Sequence, residues 1–224
     1  MLFRSAPATA DLAAASDLGS STTDNITSAA FPAPGLQFTG TVAANTTVYL
    51  YDDGVLVATA VSDSSGNYSV TLTSGTTVTA GANVFTIATV GPTGLVSDIS
   101  PGLTVNYDSS VPAAPTTLDL VAGSDSGISS TDNITNSATP SFTISCENGA
   151  TVILRDGTTN ITNPATGVIC SGGTATLVAS TLAAGTYASI NVVQTDVAGN
   201  TSVASTNLSP SLVIDTTAPT LNTS

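Results

Sequence analysis

A stretch of seventeen residues occurs twice in this chain without a gap. Asp11-Leu-Ala-Ala-Ala-Ser-Asp17-Leu-Gly-Ser-Ser-Thr-Thr-Asp24-Asn25-Ile26-Thr27 returns as Asp119-Leu-Val-Ala-Gly-Ser-Asp125-Ser-Gly-Ile-Ser-Ser-Thr-Asp132-Asn133-Ile134-Thr135. From Asp11 to Asp119, Asp17 to Asp125 and Asp24 to Asp132 the step is 108 residues each time. A spacing that regular limits the fold to two copies of one unit of about a hundred residues, the size of a small sandwich domain. The expected units are 1–109 and 110–224.

The connecting segments repeat as well. Val105-Asn-Tyr-Asp108-Ser-Ser-Val-Pro112-Ala-Ala-Pro115 has a counterpart in Val213-Ile-Asp215-Thr-Thr-Ala-Pro219, and Pro7 precedes Pro115 by the same 108 positions. Proline holds such linkers extended and discourages a hairpin back onto a sheet. The chain is therefore expected to open in the tail of one linker and close inside another, with further repeats on both sides.

Within each unit, short apolar-alternating runs are separated by Asp/Gly/Ser turns, which is the signature of strands. In repeat one these runs lie around Leu12 and at 36–42, 47–51, 55–61, 68–72, 84–90 and 103–107. Repeat two follows at 140–146, 151–154, 175–178, 188–193 and 211–214, with a longer and less regular middle from Asp156 to Cys170. The spacing predicts an all-β chain of two immunoglobulin-like sandwiches of about seven strands each, arranged end to end.

Composition narrows the function. Fifteen acids face two basic residues, Arg4 and Arg155, with no Lys or His and a formal charge of -13. Nucleic acid and anionic membrane both require a cationic surface, so neither is expected as a partner. Fourteen of the acids are Asp, which suits turns and metal ligation better than helices. No eighteen-residue apolar stretch exists, so no membrane insertion is expected. The apolar share of 41% is too high for a disordered chain.

Four motifs in order carry a family resemblance. Ile214-Asp215-Thr-Thr-Ala-Pro219, the recurring Asp-x-Gly-(x)4-Asp-Asn-Ile-Thr loop, Glu147-Asn-Gly-Ala-Thr-Val152 and Asp196-Val-Ala-Gly-Asn200 resemble bacterial Ig-like repeats. Such repeats form the extender regions of large Gram-negative surface adhesins, the RTX adhesins among them. Repeat one departs from the pattern, with Gly91-Pro-Thr-Gly94 and Ala44-Asn45-Thr46 where repeat two has Asp196-Val-Ala-Gly-Asn200 and Glu147-Asn148-Gly149. The resemblance implies structural spacer repeats at the cell surface, extracellular, whose partners are neighbouring repeats of the same longer chain.

Sandwich topology then places the acids. Asp17 and Asp24 are expected at the end from which repeat one exits, beside linker Asp108, while Glu147 and Asp196 are expected at the end where repeat two begins. Five carboxylates from separate segments are thus expected to converge at the junction, and without Lys or Arg to pair them they repel unless a cation is present. Asp with amide carbonyls, and no His, favours Ca²⁺ over Zn²⁺ or a redox metal. Asp125, Asp132 and Asp215 form the matching half-site of repeat two, whereas Asp11 and Asp119 fit either a strand or a ligand role. Plain turn chemistry is the competing account, and it suffices for Asp52-Asp53-Gly54 and Asp63-Ser-Ser-Gly66.

Cys146 and Cys170 allow either a disulfide, as an oxidising exterior permits, or two small buried hydrophobes. No His base, catalytic triad or phosphate-cradling loop is present, so the chain is not expected to be an enzyme. A lectin reading is weakened by the absence of Trp. The remaining alternative is a subunit of a self-assembling surface filament or S-layer.

Overall fold

The structure is a computed structural model that describes residues 5–28, 35–72 and 78–220. It is all-β and divides into two compact units whose main boundary falls between Ser110 and Val111.

Repeat one contains β1 (Asp11–Leu12), β2 (Ile26–Thr27), β3 (Gln37–Thr41), β4 (Thr47–Asp52), β5 (Val55–Val61), β6 (Asn67–Thr71), β7 (Gly81–Val90) and β8 (Leu103–Tyr107). They form a three-stranded sheet in the order β1-β3-β6 and a five-stranded sheet in the order β2-β8-β7-β4-β5. The Thr, Val and Tyr runs favour this pleated, half-buried surface. Along β4, buried Val48, Leu50 and Asp52 alternate with half-buried Thr47, Tyr49 and Tyr51, the period-2 pattern of a strand with one core face. The β4–β5 turn has positive φ at both Asp53 (46°) and Gly54 (84°), the twist that matches two strands joined by two residues.

The core lies between the sheets. Leu12, Phe38 and Val70 meet Leu50, Phe85, Ile87 and Val105, and the Phe38 and Phe85 rings stand 4.4 Å apart at a tilt of 42°. Tyr68 lies across Gly40, where a Cβ would fall 2.6 Å from the phenol oxygen. Gly40 is therefore set by packing and not by a turn.

The strand Ile26–Thr27 is absent from the sequence reading, which treated the whole stretch from Asp17 to Thr27 as loop. A two-residue strand has no measurable alternation, so its ladder had to be seen in space. It pairs in parallel with β8, Ile26 beside Asn106 and Thr27 beside Tyr107, while β1 pairs antiparallel with β3. The first strand of the fold thus begins in one sheet and finishes in the other, with the Asp-rich loop as the crossing.

Repeat two comprises β9 (Thr116–Leu120), β10 (Ile134–Thr135), β11 (Ser141–Ser145), β12 (Thr151–Asp156), β13 (Thr159–Asn160), β14 (Thr162–Asn163), β15 (Val168–Ile169), β16 (Thr174–Ala179), β17 (Gly185–Tyr187), β18 (Ile190–Thr195) and β19 (Leu212–Ile214). One sheet runs β14-β16-β11-β9; facing it, β10-β19-β17 and β13-β12-β15 with β18 on β12 supply the other layer. The crossing of the first strand recurs, with β10 parallel to β19. The irregular middle resolves into three two-residue strands: β13 and β15 both flank β12, and β14 pairs β16.

A disulfide joins Cys146 and Cys170, 24 residues apart, with Cα atoms 6.1 Å from each other. Backbone bonds Cys170 N to Ala150 O (2.8 Å) and Gly149 N to Cys170 O (2.9 Å) bring the two segments together. Closing a loop of that length restricts the unfolded chain by about 3 kcal/mol. Reduction is expected to destabilise repeat two by about 2–4 kcal/mol and leave repeat one unchanged. Urea unfolding with and without reductant checks this, since only one of two resolved transitions should move.

Candidate carboxylate site in each repeat

The Asp-rich crossing is built the same way twice. Asp17 N donates to Ala13 O at 3.0 Å and Asp125 N to Val121 O at 2.9 Å, closing the first turn of each loop. The side chains then reach across: Asn25 N donates to Asp17 Oδ2 (3.2 Å) and Asn133 N to Asp125 Oδ2 (3.3 Å). Asn25 and Asn133 both sit at φ 59°, a left-handed conformation that Asn tolerates better than most residues. Ser16 Oγ accepts from Gln37 N at 2.9 Å, and Ser124 Oγ accepts from Ser141 N at 3.0 Å, pinning each loop to its sheet.

Asp17 is 1% exposed and Asp125 5% exposed. In each, Oδ2 is hydrogen-bonded and Oδ1 is buried with no hydrogen-bond partner. Burial pushes the Asp17 carboxyl above the usual range, the Asn25 N–H pulls it down, and the charges of Asp24 and Asp11 push it up again. A half-satisfied buried carboxylate is costly, so two copies with the same oxygen unsatisfied describe a built feature.

Asp24 and Asp132 lie within this loop, and Asp108 and Asp215 follow the last strand of each repeat. Asp24 Oδ1 accepts from Ile26 N at 3.1 Å and Asp132 Oδ1 from Ile134 N at 3.2 Å. Asp108 N donates to Thr27 O at 3.0 Å, and Asp215 N to Thr135 O at 2.8 Å. Asp108 Oδ1 accepts from Ser110 N (2.8 Å) and Asp215 Oδ1 from Thr217 N (2.9 Å). The parallel ladder therefore brings the outgoing linker of each repeat to its own Asp-rich loop. In each repeat the strand that follows the loop runs parallel to the last strand.

Glu147 and Asp196 have hydrogen bonds within their own repeat. Glu147 is exposed, its N–H donating to Gln194 Oε1 at 2.7 Å, while Gln194 Nε2 donates to Ala113 O at 2.7 Å. Both oxygens of Asp196 accept from Asn200, Oδ1 from its N–H and Oδ2 from its amide, at 2.9 Å each. Asp63 in repeat one is used alike, by Asn67 N (2.9 Å) and Asn67 Nδ2 (3.2 Å), and these bonds hold its carboxyl below the usual range. Asp196 thus closes the turn to Asn200. Asp11 and Asp119 are exposed on their strands. Among the described residues, no three His, Cys, Asp or Glu side chains stand close enough together to hold a metal ion.

Sequence reasoning gave Asp17 no priority over Asp24, although only Asp17 is buried. It missed Thr27 altogether: this residue is fully buried, donates to Ser16 O at 2.7 Å and accepts from Leu18 N at 3.2 Å. The Asn-Ile-Thr ending of the motif was the available signal.

Two sandwiches with a crossing first strand define a tandem immunoglobulin-like chain. The chain belongs to the family of bacterial Ig-like domains, matched over residues 4–109 and again over 111–216. Among solved structures it is similar to the BSP domain of a biofilm-associated protein (20% identity, 87% of this chain and 29% of that one, TM-score 0.27). It is similar also to a Ca²⁺-stabilised adhesin with which an Antarctic bacterium binds ice (17%, 90% and 48%, TM-score 0.43). A third is a tetra-tandem repeat from the extending region of a large adhesion protein (19%, 93% and 49%, TM-score 0.31). The chain spans less than half the length of each. No curated protein matches it in sequence. Among the described residues no helix is long and apolar enough to cross a membrane.

One further acid has a buried, unbonded oxygen. Asp52 faces inward on β4, and burial together with the neighbouring Asp53 charge pushes its carboxyl up to about 6. A carboxyl whose folded value exceeds its unfolded one stabilises the fold when protonated. That contribution is present below about pH 4 and is lost as pH rises through about 6. Repeat one is expected to lose up to about 3 kcal/mol across this window. Asp52→Asn should flatten the window and stabilise repeat one at pH 7, as urea unfolding at pH 4, 5, 6 and 7 would show.

Proposed function

We propose that the two repeats are non-catalytic spacers of a larger extracellular bacterial surface adhesin, flanked by further repeats of the same chain. Membership of the bacterial Ig-like family and the 108-residue duplication support this. An array of like units lengthens a molecule without adding chemistry, which suits a spacer better than a binding tip.

In this proposal Ca²⁺ binds at the Asp-rich loop of each repeat and draws together carboxylates that stand apart in this structure, Asp17 Oδ1 with Asp24 and Asp108 in repeat one, and Asp125 Oδ1 with Asp132 and Asp215 in repeat two. The observation that carries it is the twice-built burial of a carboxylate with one oxygen bonded and the other not. A hard, flexible-geometry cation with all-oxygen coordination suits such donors, and nearby Asp24 raises the Asp17 carboxyl only while no cation offsets its charge. Asp108 and Asp215 begin the outgoing linkers, so an ion binding them to the loop would restrict the linker. A spacer would stiffen as Ca²⁺ rises into the range of about 10⁻⁴ to 10⁻³ M typical of extracellular modules.

Small-angle scattering and thermal unfolding of this chain in 10 mM Ca²⁺ and in chelator test the reading. Saturation at roughly a hundredfold over Kd adds about 2.7 kcal/mol, so the melting temperature should rise by roughly 10 °C while the distance distribution narrows. Identical curves in both buffers would contradict it, and Ca²⁺-dependent growth to large assemblies would favour a filament subunit.

A further inference from the structure

The linker that enters repeat two has few ways to be held. Pro112 and Pro115 carry no backbone N–H, so this segment is poorly suited to a sheet ladder and offers mainly carbonyl oxygens. Holding a carbonyl takes a donor, and a chain with only two basic residues must draw it mostly from neutral side chains. Gln194 supplies one. It lies near the end of β18, is 3% exposed, and uses both ends of its amide. Its Nε2 donates to Ala113 O at 2.7 Å, and its Oε1 accepts from Glu147 N at 2.7 Å. The backbone beneath is fixed as well, with Gln194 N donating to Ser202 Oγ at 3.1 Å and Ser202 N to Gln194 O at 2.9 Å. A buried amide satisfied at both ends is held in one orientation.

In repeat one a shorter residue takes this place. The backbone pattern recurs, with Thr89 N donating to Ser97 Oγ and Ser97 N to Thr89 O, both at 2.9 Å. Thr89 thus stands where Gln194 stands in repeat two, and its hydroxyl ends two bonds short of an amide's reach. The matching groove is lined by Ser5, Ala6, Pro7, Val42, Ala43 and Thr89, and Ser5 precedes Ala113 by the same 108 positions as the rest of the repeat.

We propose that Gln194 is the docking residue for the incoming linker, which it fastens to repeat two as a neutral amide latch. The linker is then part of repeat two from Ala113 onward. At its other end Asp108 N is bonded to Thr27 O of repeat one, so the freedom of the joint is confined to residues 109–112. In a spacer this shortens the flexible part of the chain; that use rests on the spacer reading, while the latch itself does not. An amide bonded to a carbonyl needs no cation and is little screened by salt, so this hold stands apart from the Ca²⁺ reading. A repeat with a short residue at this position, as repeat one has in Thr89, leaves its incoming linker without the latch.

Backbone amide relaxation of the full two-repeat chain in chelator tests this, for wild type, Gln194→Glu and Val203→Glu. Glutamate matches glutamine in shape and still accepts from Glu147 N, but an ionised carboxylate has no proton for Ala113 O. Val203 is an exposed residue of repeat two, so its variant adds the same charge at the surface. Order parameters at Ala113 and Ala114 should stand at about 0.85 in wild type and in Val203→Glu, and fall below about 0.6 in Gln194→Glu at neutral pH. Near about pH 4 the introduced carboxyl takes up a proton and regains a donor, so the values should return toward wild type. Linker values already below about 0.6 in wild type would overturn the latch. So would no fall in Gln194→Glu, or an equal fall in Val203→Glu. A fall throughout repeat two marks lost folding, and the wild-type values then decide. These amides report the linker alone, and scattering with and without Ca²⁺ tests the spacer reading, so the two can fail separately.

Discussion

The structure depends on a carboxylate that is buried and only half satisfied. Asp17 and Asp125 each accept one bond from the backbone of the Asn-Ile-Thr segment, and that bond holds the crossing loop closed. Closing the loop sets β2 and β10 beside the last strands, and this in turn brings Asp108 and Asp215 against the loop that precedes them. The remaining oxygen of each aspartate has no hydrogen-bond partner. Leaving a buried acceptor unsatisfied costs on the order of 1–3 kcal/mol. The fold accepts this cost twice, at equivalent positions of the two repeats.

The two repeats share this end and differ in their flanks. Repeat one covers β4 with the seven-residue β5 and a tight Asp53-Gly54 turn; repeat two covers β12 with two-residue strands and fastens the intervening excursion by Cys146–Cys170. A long apolar edge such as β5, with Val55 and Val61 both 66% exposed, is the kind of strand that proteins commonly interrupt. Repeat two has that interruption, and repeat one has a bulge opposite Leu50 and Tyr51. The variation falls where the unit tolerates it, away from the ladder that both repeats keep.

Much of the fold was legible because its signals are periodic. Alternation over five or more residues marked β3 to β8, and the 108-residue step marked the duplication. What was hidden lay below the length at which alternation can be read: Ile26–Thr27, Ile134–Thr135 and the three short strands between Asp156 and Cys170. Burial of individual acids was hidden for a different reason. Asp17 and Asp24 have the same chemistry and are seven residues apart in one polar loop, and only the fold separates the buried from the exposed one. The turn that Asp196 closes with both oxygens was likewise hidden, since spacing alone does not show which partner an Asp will take. The disulfide was an open alternative between two readings that spacing alone does not separate.

The most direct measurement is a crystal structure of this chain grown in millimolar Ca²⁺, with anomalous scattering to identify the metal. The account predicts an ion 2.3–2.6 Å from Oδ1 of both Asp17 and Asp125. Calcium bound elsewhere, with both oxygens hydrogen-bonded to water or protonated, would contradict it.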